Sequence, residues 1–414
     1  MRAKWVWAGI LCCACGSDGS SASGGAGGVG GHAGSGGTDT AGGSGSESGG
    51  AGGTGGSSGT IGSGAQGGSA GLSSGGAGGS GAGGDAGVLR PDQVDVLLVV
   101  DTSSGMNEEQ VAFGAQIPRL VRGLLTGDAD DDGVMESVPF SSLHIGVVTV
   151  DMGTGGPPVP SCNQPLRGDD GILRTVGNQA LSGCDASYPG YQPINSASDL
   201  DVAAEQVRCV FQAGVSGCGI EQPLEAPLKA LSPASSGIVF GSGDVGHGTG
   251  MNSGFLRPDS LLIVLTLTDE NDCSISDPKL FDNSVYTGNL NLRCFENPGA
   301  LHPTARYVSG LLALRPHPSR LFYGLIAGVP SGLTGDGYQT MLDDPGMQES
   351  VDSAQPSRLT PSCDTSMGTA FPPRRLVEVA RDLEQAGAGT AVDSICQSDY
   401  SKLIDRVLAY TASL

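Results

Sequence analysis

Four stretches of the chain are apolar almost without interruption: VDVLLVVD at 94–101, HIGVVTVD at 144–151, SLLIVLTLTD at 260–269 and RLFYGLIAGV at 320–329. A strand with one wet face alternates apolar and polar residues. These do not alternate, so they read as strands buried on both faces of a parallel sheet. Helical spacing fills the intervals between them. Phe113, Ile117, Leu120 and Leu124 form one stripe, in which Pro118 imposes a bend. Val207, Val210 and Phe211 share a second face, and Leu224, Leu228 and Leu231 a third that Pro227 shortens. Tyr307, Leu311 and Leu314 follow the third long strand. Leu376, Val379 and Leu383 begin a helix after Pro372 and Pro373, and Tyr400, Leu403, Ile404, Val407 and Leu408 close the chain. Strand alternating with helix predicts one α/β domain over 89–414, a doubly wound, mainly parallel sheet flanked by helices. Polar, cysteine-bearing inserts interrupt it at about 152–198, 232–259, 271–300 and 331–371. Loops of that length in a compact domain are expected to be functional or stapled.

The N-terminal part changes the picture. Residues 16–88 are almost entirely Gly, Ser, Ala and Thr, too poor in apolar surface to offset the entropy of ordering. Such a coil is expected to act as a linker with a mean reach on the order of 45 Å. Before it, MRAKWVWAGILCCACGSDG has a basic start and an apolar stretch too short to span a bilayer, then Ala14 before Cys15. Residues 1–15 resemble a bacterial lipoprotein signal, which implies acylation of Cys15 and an exported domain lipid-anchored to the cell envelope, at the outer membrane or cell surface. Cys12 stands where leucine is usual. An ordinary secretory signal cleaved nearby is the alternative. The formal net charge of −22 argues against non-specific nucleic-acid binding.

Three of the 11 cysteines lie in the signal region, and the eight others are spread over the domain. An even number in an exported domain points to disulfides, although spacing alone leaves the connectivity open. Nearest-neighbour pairing would give Cys162–Cys184, Cys209–Cys218, Cys273–Cys294 and Cys363–Cys396. Zinc would want CxxC-like pairs, and the domain has none.

The candidate chemistry lies where strands end. Asp101 and Asp269 close the first and third long strands, and Ser103 and Ser104 follow the first. If those strands are neighbours, the carboxylates converge where open α/β sheets bind ligands. Oxygen donors with room for water describe a Mg²⁺-type site, with Mn²⁺ or Ca²⁺ as other occupants. VDVLLVVDTSSGM followed by a helix, with SLLIVLTLTD later, resembles the von Willebrand factor type A domain. That resemblance implies a metal-ion-dependent adhesion site made from an Asp-x-Ser-x-Ser loop, a threonine from a second loop and an aspartate after a later strand. Asp101, Ser103 and Asp269 match three of these positions, and Ser104 is a further donor. Gly105 replaces the second serine, and GVSGCGIEQPLEA has Cys218 about where threonine is expected. The chain is also similar to tethered type A–like proteins common in myxobacteria, through RGDDGILR (167–174), GCGIEQPLEA (217–226), TDENDCS (268–274), RCFENPGALHP (293–303) and SICQSDY (394–400). Asp101 and Ser103 could instead simply cap the helix that follows.

Two further motifs are weaker. GDADDDGVME (127–136) places Asp128, Asp130, Asp132 and Gly133 at the opening spacing of a calcium loop, with Pro139 where the bidentate Glu belongs and Glu136 at position nine. Arg167-Gly168-Asp169 spells an adhesion tripeptide of a kind that arises often by chance. The five histidines are scattered, and neither HExxH nor, in the domain, G-x-S-x-G occurs, so an enzyme is not expected. The expected function is a tethered, ion-dependent module binding an extracellular or envelope protein. The alternative is a metal-free structural envelope lipoprotein with a vestigial adhesion site.

Overall fold

The computed structural model describes residues 90–333 and 337–414. The signal, the linker and Cys15 lie outside the described residues. Among the described residues the strands are β1 (Gln93–Val100), β2 (Ser142–Thr149), β3 (Tyr191–Asn195), β4 (Leu261–Leu267), β5 (Leu321–Ala327), β6 (Cys363–Thr365), β7 (Gly368–Ala370) and β8 (Gly389–Ser394). The helices are α1 (Asn107–Gly114), α2 (Ile117–Thr126), α3 (Leu200–Phe211), α4 (Glu225–Leu231), α5 (Arg293–Glu296), α6 (Ala305–Leu312), α7 (Tyr338–Asp343), α8 (Arg374–Gln385) and α9 (Ser401–Ser413).

Six strands form one sheet in the order β3-β2-β1-β4-β5-β8, parallel except for β3. The continuous apolar runs follow from this placement, because successive side chains feed two different cores. On β1, Val94, Val96, Leu98 and Val100 pack with α1, α2, α3 and α9. Leu97 and Val99 pack on the other face with α4, α6 and α8. Asp95 breaks the run but is satisfied: it accepts from Arg257 Nε at 2.7 Å and Ser260 Oγ at 2.5 Å.

The bend expected at Pro118 is a full break between α1 and α2, with the proline in the first turn of α2, where its missing N–H costs nothing. β3 hides in the first long insert; it carries Pro193 and pairs antiparallel at the sheet edge, a position that tolerates proline. The β6–β7 hairpin hides in the last insert.

Four disulfides pin the inserts: Cys162–Cys218, Cys184–Cys209, Cys273–Cys294 and Cys363–Cys396. The last two are the nearest-neighbour pairs. The expected Cys162–Cys184 and Cys209–Cys218 pairs are instead exchanged. α3 carries Cys209 to the segment around residue 178, whose Asn178 N–H donates to the Cys209 carbonyl at 2.8 Å, and Cys184 follows in that segment. Cys162 meets Cys218 because Gly219 N–H donates to Ser161 O, bringing their Cα atoms within 4.1 Å. The four disulfides suit an oxidising, extracytoplasmic compartment. Among the described residues, no helix is long and apolar enough to cross a membrane.

Candidate metal centre

β1 and β4 are direct neighbours, and the strand order reverses between them, since the chain leaves β1 for β2 on one side and β4 for β5 on the other. Connections diverging from two adjacent strands leave a crevice at their carboxyl ends. Asp101 is the first residue after β1 and Asp269 the second after β4, so both stand at that crevice. Backbone pairing continues one step past the strands, with Asp101 N–H donating to Leu267 O at 3.0 Å.

Asp101 is fully buried. Its Oδ1 accepts from Ser103 N–H at 2.7 Å and its Oδ2 from Thr268 Oγ1 at 2.6 Å. Gln110 Nε2 donates to its carbonyl at 2.8 Å and to Gly214 O at 2.9 Å, tying α1 to two loops. This carboxylate does not cap a helix. The N-cap of α1 is Met106, which makes no side-chain cap bond, and α1 begins at Asn107.

The hydroxyl Oγ of Ser103 is buried without a hydrogen-bond partner, and so is Oδ1 of Asp269. Ser104 is exposed. Gly105 adopts φ +122°, a conformation that side-chain-bearing residues rarely take, and a Cβ built there would lie 3.8 Å from Asp269 Oδ2. The position is beside the carboxylate, but its backbone favours glycine.

The loop expected to supply a threonine packs on the same side, with Gly217 N–H donating to Thr102 O at 2.8 Å. Cys218 is consumed in its disulfide and offers no ligand. Three residues later stands Glu221, which sequence reasoning passed over. Glu221 is 7% exposed and paired in an isolated bridge with Asp151. The signal was one of two acidic residues in GCGIEQPLEA, four positions before Glu225, which itself opens α4, so neither stood out from ordinary helix-terminal carboxylates.

Electrostatics ties these groups together. Burial pushes the Asp101 carboxyl up, against the hydrogen bonds from Thr268 and Ser103. Burial and then the charges of Asp101, Glu270 and Asp269 hold Glu221 well above the usual carboxylate range. Asp269 is raised likewise by burial, then by Asp101, Glu270 and Glu109. Glu270 is pushed up to about 8 by burial and by Asp101. Among the described residues none of the four pairs with Lys, Arg or His, and such uncompensated negative charge is an environment a bound cation relieves.

The acidic run after β4 divides in two. Asp269 and Glu270 stay with the cluster. Asp272 is buried and neutralised instead, accepting from Arg375 Nε at 3.1 Å and Ser274 Oγ at 2.6 Å, while Asn271 bonds Glu349. The donor set left over is all oxygen: three carboxylates at least, and an unpartnered hydroxyl. That chemistry fits a hard divalent cation and not zinc.

At the other end of the sheet, in the loop before β2, one oxygen each of Asp128, Asp130, Asp132 and Glu136 lie within 4.8 Å of one another. Asp128 accepts from Asp131 N–H at 2.7 Å and Gly133 N–H at 2.8 Å, and Glu136 from Ala129 N–H at 2.7 Å. The spacing read in the sequence therefore does close into a loop, with Glu136 joining the three aspartates. The adhesion tripeptide is engaged internally: Arg167 pairs with Asp244 at 2.9 Å and Asp169 accepts from Thr149 Oγ1 at 2.6 Å. A cavity of about 260 Å³ flanks α4, walled by Asp170, Glu225, Lys229, Phe240 and His302 among others. Its acidic groups are paired: Lys229 donates to Asp170 at 2.5 Å, and Arg306, behind the wall, donates to Glu225 at 2.9 Å.

No protein-family model matches the chain, and no curated protein matches it. Among solved structures, a mutant of the PilB minor pilin from Streptococcus sanguinis is 8% identical with a TM-score of 0.31; the match covers 78% of this chain and 61% of that one. Proximal thread matrix protein 1 from the mussel byssus is 12% identical with a TM-score of 0.22, over 56% of this chain and 44% of that one. The chain thus spans less than two thirds of the length of either.

Proposed function

We propose that the domain is a divalent-cation-dependent recognition module of the von Willebrand factor type A kind, held at the cell envelope by a lipid on Cys15. The observation that carries this reading is the convergence of Asp101, Ser103 and Asp269 at the switch point between β1 and β4, with Ser103 Oγ and Asp269 Oδ1 buried and unpartnered. Leaving a buried polar atom unpaired costs about 1–3 kcal/mol, and a bound cation would remove that cost. The sheet order and the place of the crevice support the same family reading. Asp101, Ser103 and Asp269 would hold the ion, and an acidic side chain of an extracellular or envelope protein would complete its shell. The protein's part is binding and orientation; the reading assigns no covalent chemistry to it.

The competing reading is a structural envelope protein whose site holds no ion. Gly105 in place of a ligand hydroxyl and Cys218 in its disulfide favour that alternative. Thermal melting separates the two. Millimolar Mg²⁺, Mn²⁺ or Ca²⁺ is expected to raise the melting temperature of the chelator-treated protein by several degrees, and Asp101→Ala to abolish the rise. Melting indifferent to metal in both proteins would leave the structural reading standing. Pull-down of surface proteins with and without chelator then tests partner binding.

A further inference from the structure

We infer that the cavity beside α4 is a binding site for one uncharged sugar unit. The inference goes beyond the ion-dependent reading and does not rest on it, since Asp101, Ser103 and Asp269 take no part in the cavity wall.

The long inserts build this cavity. Leu166 and Asp170 come to its wall from the first insert, Val239 and Phe240 from the second, and Ile275 and Ser276 from the third. Gln222, almost fully buried, ties two of the inserts together at the wall. Its Nε2 donates to Gly153 O at 2.7 Å, and its Oε1 accepts from Ile275 N–H at 3.3 Å. The Cys162–Cys218 and Cys273–Cys294 disulfides pin the same segments. Long inserts that converge on one preformed hollow are the form that functional loops take. At about 260 Å³ the space falls below the usual range for drug-sized ligands, about 300–1,000 Å³, so it suits one small ring.

The chemistry of the wall selects the ligand. Its formal charges are matched within the protein. Lys229 Nζ donates to Asp170 and, at 3.2 Å, to Asp244; Arg167 pairs with the same Asp244 at 2.9 Å; Arg306 holds Glu225 through two hydrogen bonds. A charged ligand would give up its hydration and meet no spare countercharge among the wall residues. Hydrogen-bonding capacity remains, and it is of both signs. The Lys229 ammonium has one N–H beyond the two it uses, and Glu225 Oε1, accepting from Arg306, keeps a lone pair. The His302 ring makes no hydrogen bond among the described residues, its Nε2 standing 3.9 Å from Glu225 Oε1. Burial holds that imidazole below its ordinary pKa, so the neutral ring offers one donor and one acceptor. A wholly apolar ligand would leave these groups dry and unpaired. Hydroxyl groups both donate and accept, and so satisfy them. Leu166 and Val239 are exposed where they line the cavity, which gives an apolar lip for the C–H face of a sugar ring.

The test is saturation-transfer NMR on the full chain in chelator. Glucose, galactose, mannose and N-acetylglucosamine are the neutral probes, and glucuronate and galacturonate their charged counterparts. At least one neutral sugar is expected to bind in the millimolar range, and the charged sugars to bind about tenfold more weakly or not at all. Ser276→Trp, which sets a bulky ring on an exposed part of the wall, should abolish binding with the melting temperature unchanged. His302→Ala should weaken binding about fivefold, the usual worth of one hydrogen bond, and Asp101→Ala should leave it as it was. If Ser276→Trp melts lower, His302→Ala alone decides. Methyl glycosides separate two sources of the ligand: binding equal to that of the free sugar assigns the site to the end of a longer glycan, and lost binding assigns it to the free sugar. Either result supports a sugar site. The inference is overturned if no neutral sugar binds at tens of millimolar, if charged sugars bind as well as neutral ones, or if His302→Ala binds like the parent. Binding lost in Asp101→Ala would place the sugar at the strand-end crevice and overturn it as well.

Discussion

At the scale of single residues, environment decides between two uses of the same side chain. Asp101 precedes a helix and has the composition of a cap, yet it closes a turn onto Ser103 and accepts from Thr268. Asp269 and Asp272 lie three residues apart; Arg375 neutralises the second, and among the described residues the first has no such partner. The pH dependence of the ion-free protein follows from the first group. Glu270 is raised from 4.5 to about 8, so between those values the folded state holds a proton that the unfolded state has released. Stability must then fall as pH rises through that window, fully present below about 4.5 and lost towards about 8. In chelator, denaturant midpoints are expected to drop steadily from pH 5 to pH 8, and Glu270→Gln to flatten the drop. A midpoint rising with pH over this range would show that the cluster is already balanced by a cation of the protein itself.

At the scale of elements, the crevice is assembled by segments far apart in the chain. β1 and β4 bring Asp101 and Asp269 together across more than 160 residues, and the loop before α4 is held beside Thr102 by Gly217 N–H and pinned by the Cys162–Cys218 disulfide. Replacing both cysteines by serine should lower unfolding stability by about 2–5 kcal/mol, the usual range for a native bridge in an exported domain. If the bridge also holds the loop packed on Thr102 beside Asp101, ion affinity should fall in that double variant, and by much less when Cys184 and Cys209 are replaced instead. Equal losses of affinity from the two pairs would mean that the bridges act on the domain as a whole.

At the scale of the whole molecule, the proposed recognition site lies at the carboxyl ends of the central strands β1 and β4. The proposed lipid tether falls on residues outside those described, and labelling tests it directly: the wild-type chain is expected to incorporate palmitate and Cys15→Ser to lose it. Continued labelling of that variant would move the anchor to another cysteine.

Much of this architecture was legible in the residues alone. Uninterrupted Val, Ile and Leu runs can only be buried on both faces, so four strands, their parallel pairing and the helices between them follow from local pattern. The carboxylates at the strand ends were legible for the same reason, because a charge marks where burial stops. β3 and β8 were not, since Pro193 and the polar end of GTAVDS weaken the apolar signal that tertiary neighbours supply. Nor were two of the disulfides, because proximity of cysteines depends on how α3 and the inserts pack and not on spacing. Glu221 belongs with them: as a residue in a sequence it is one acidic group before a helix, and only the fold sets it against Asp101 and Asp269. Local pattern determines which segments are buried, because burial is a property of side chains. Which buried or charged groups meet is a property of long-range packing, and the candidate ion site is built almost entirely from such meetings.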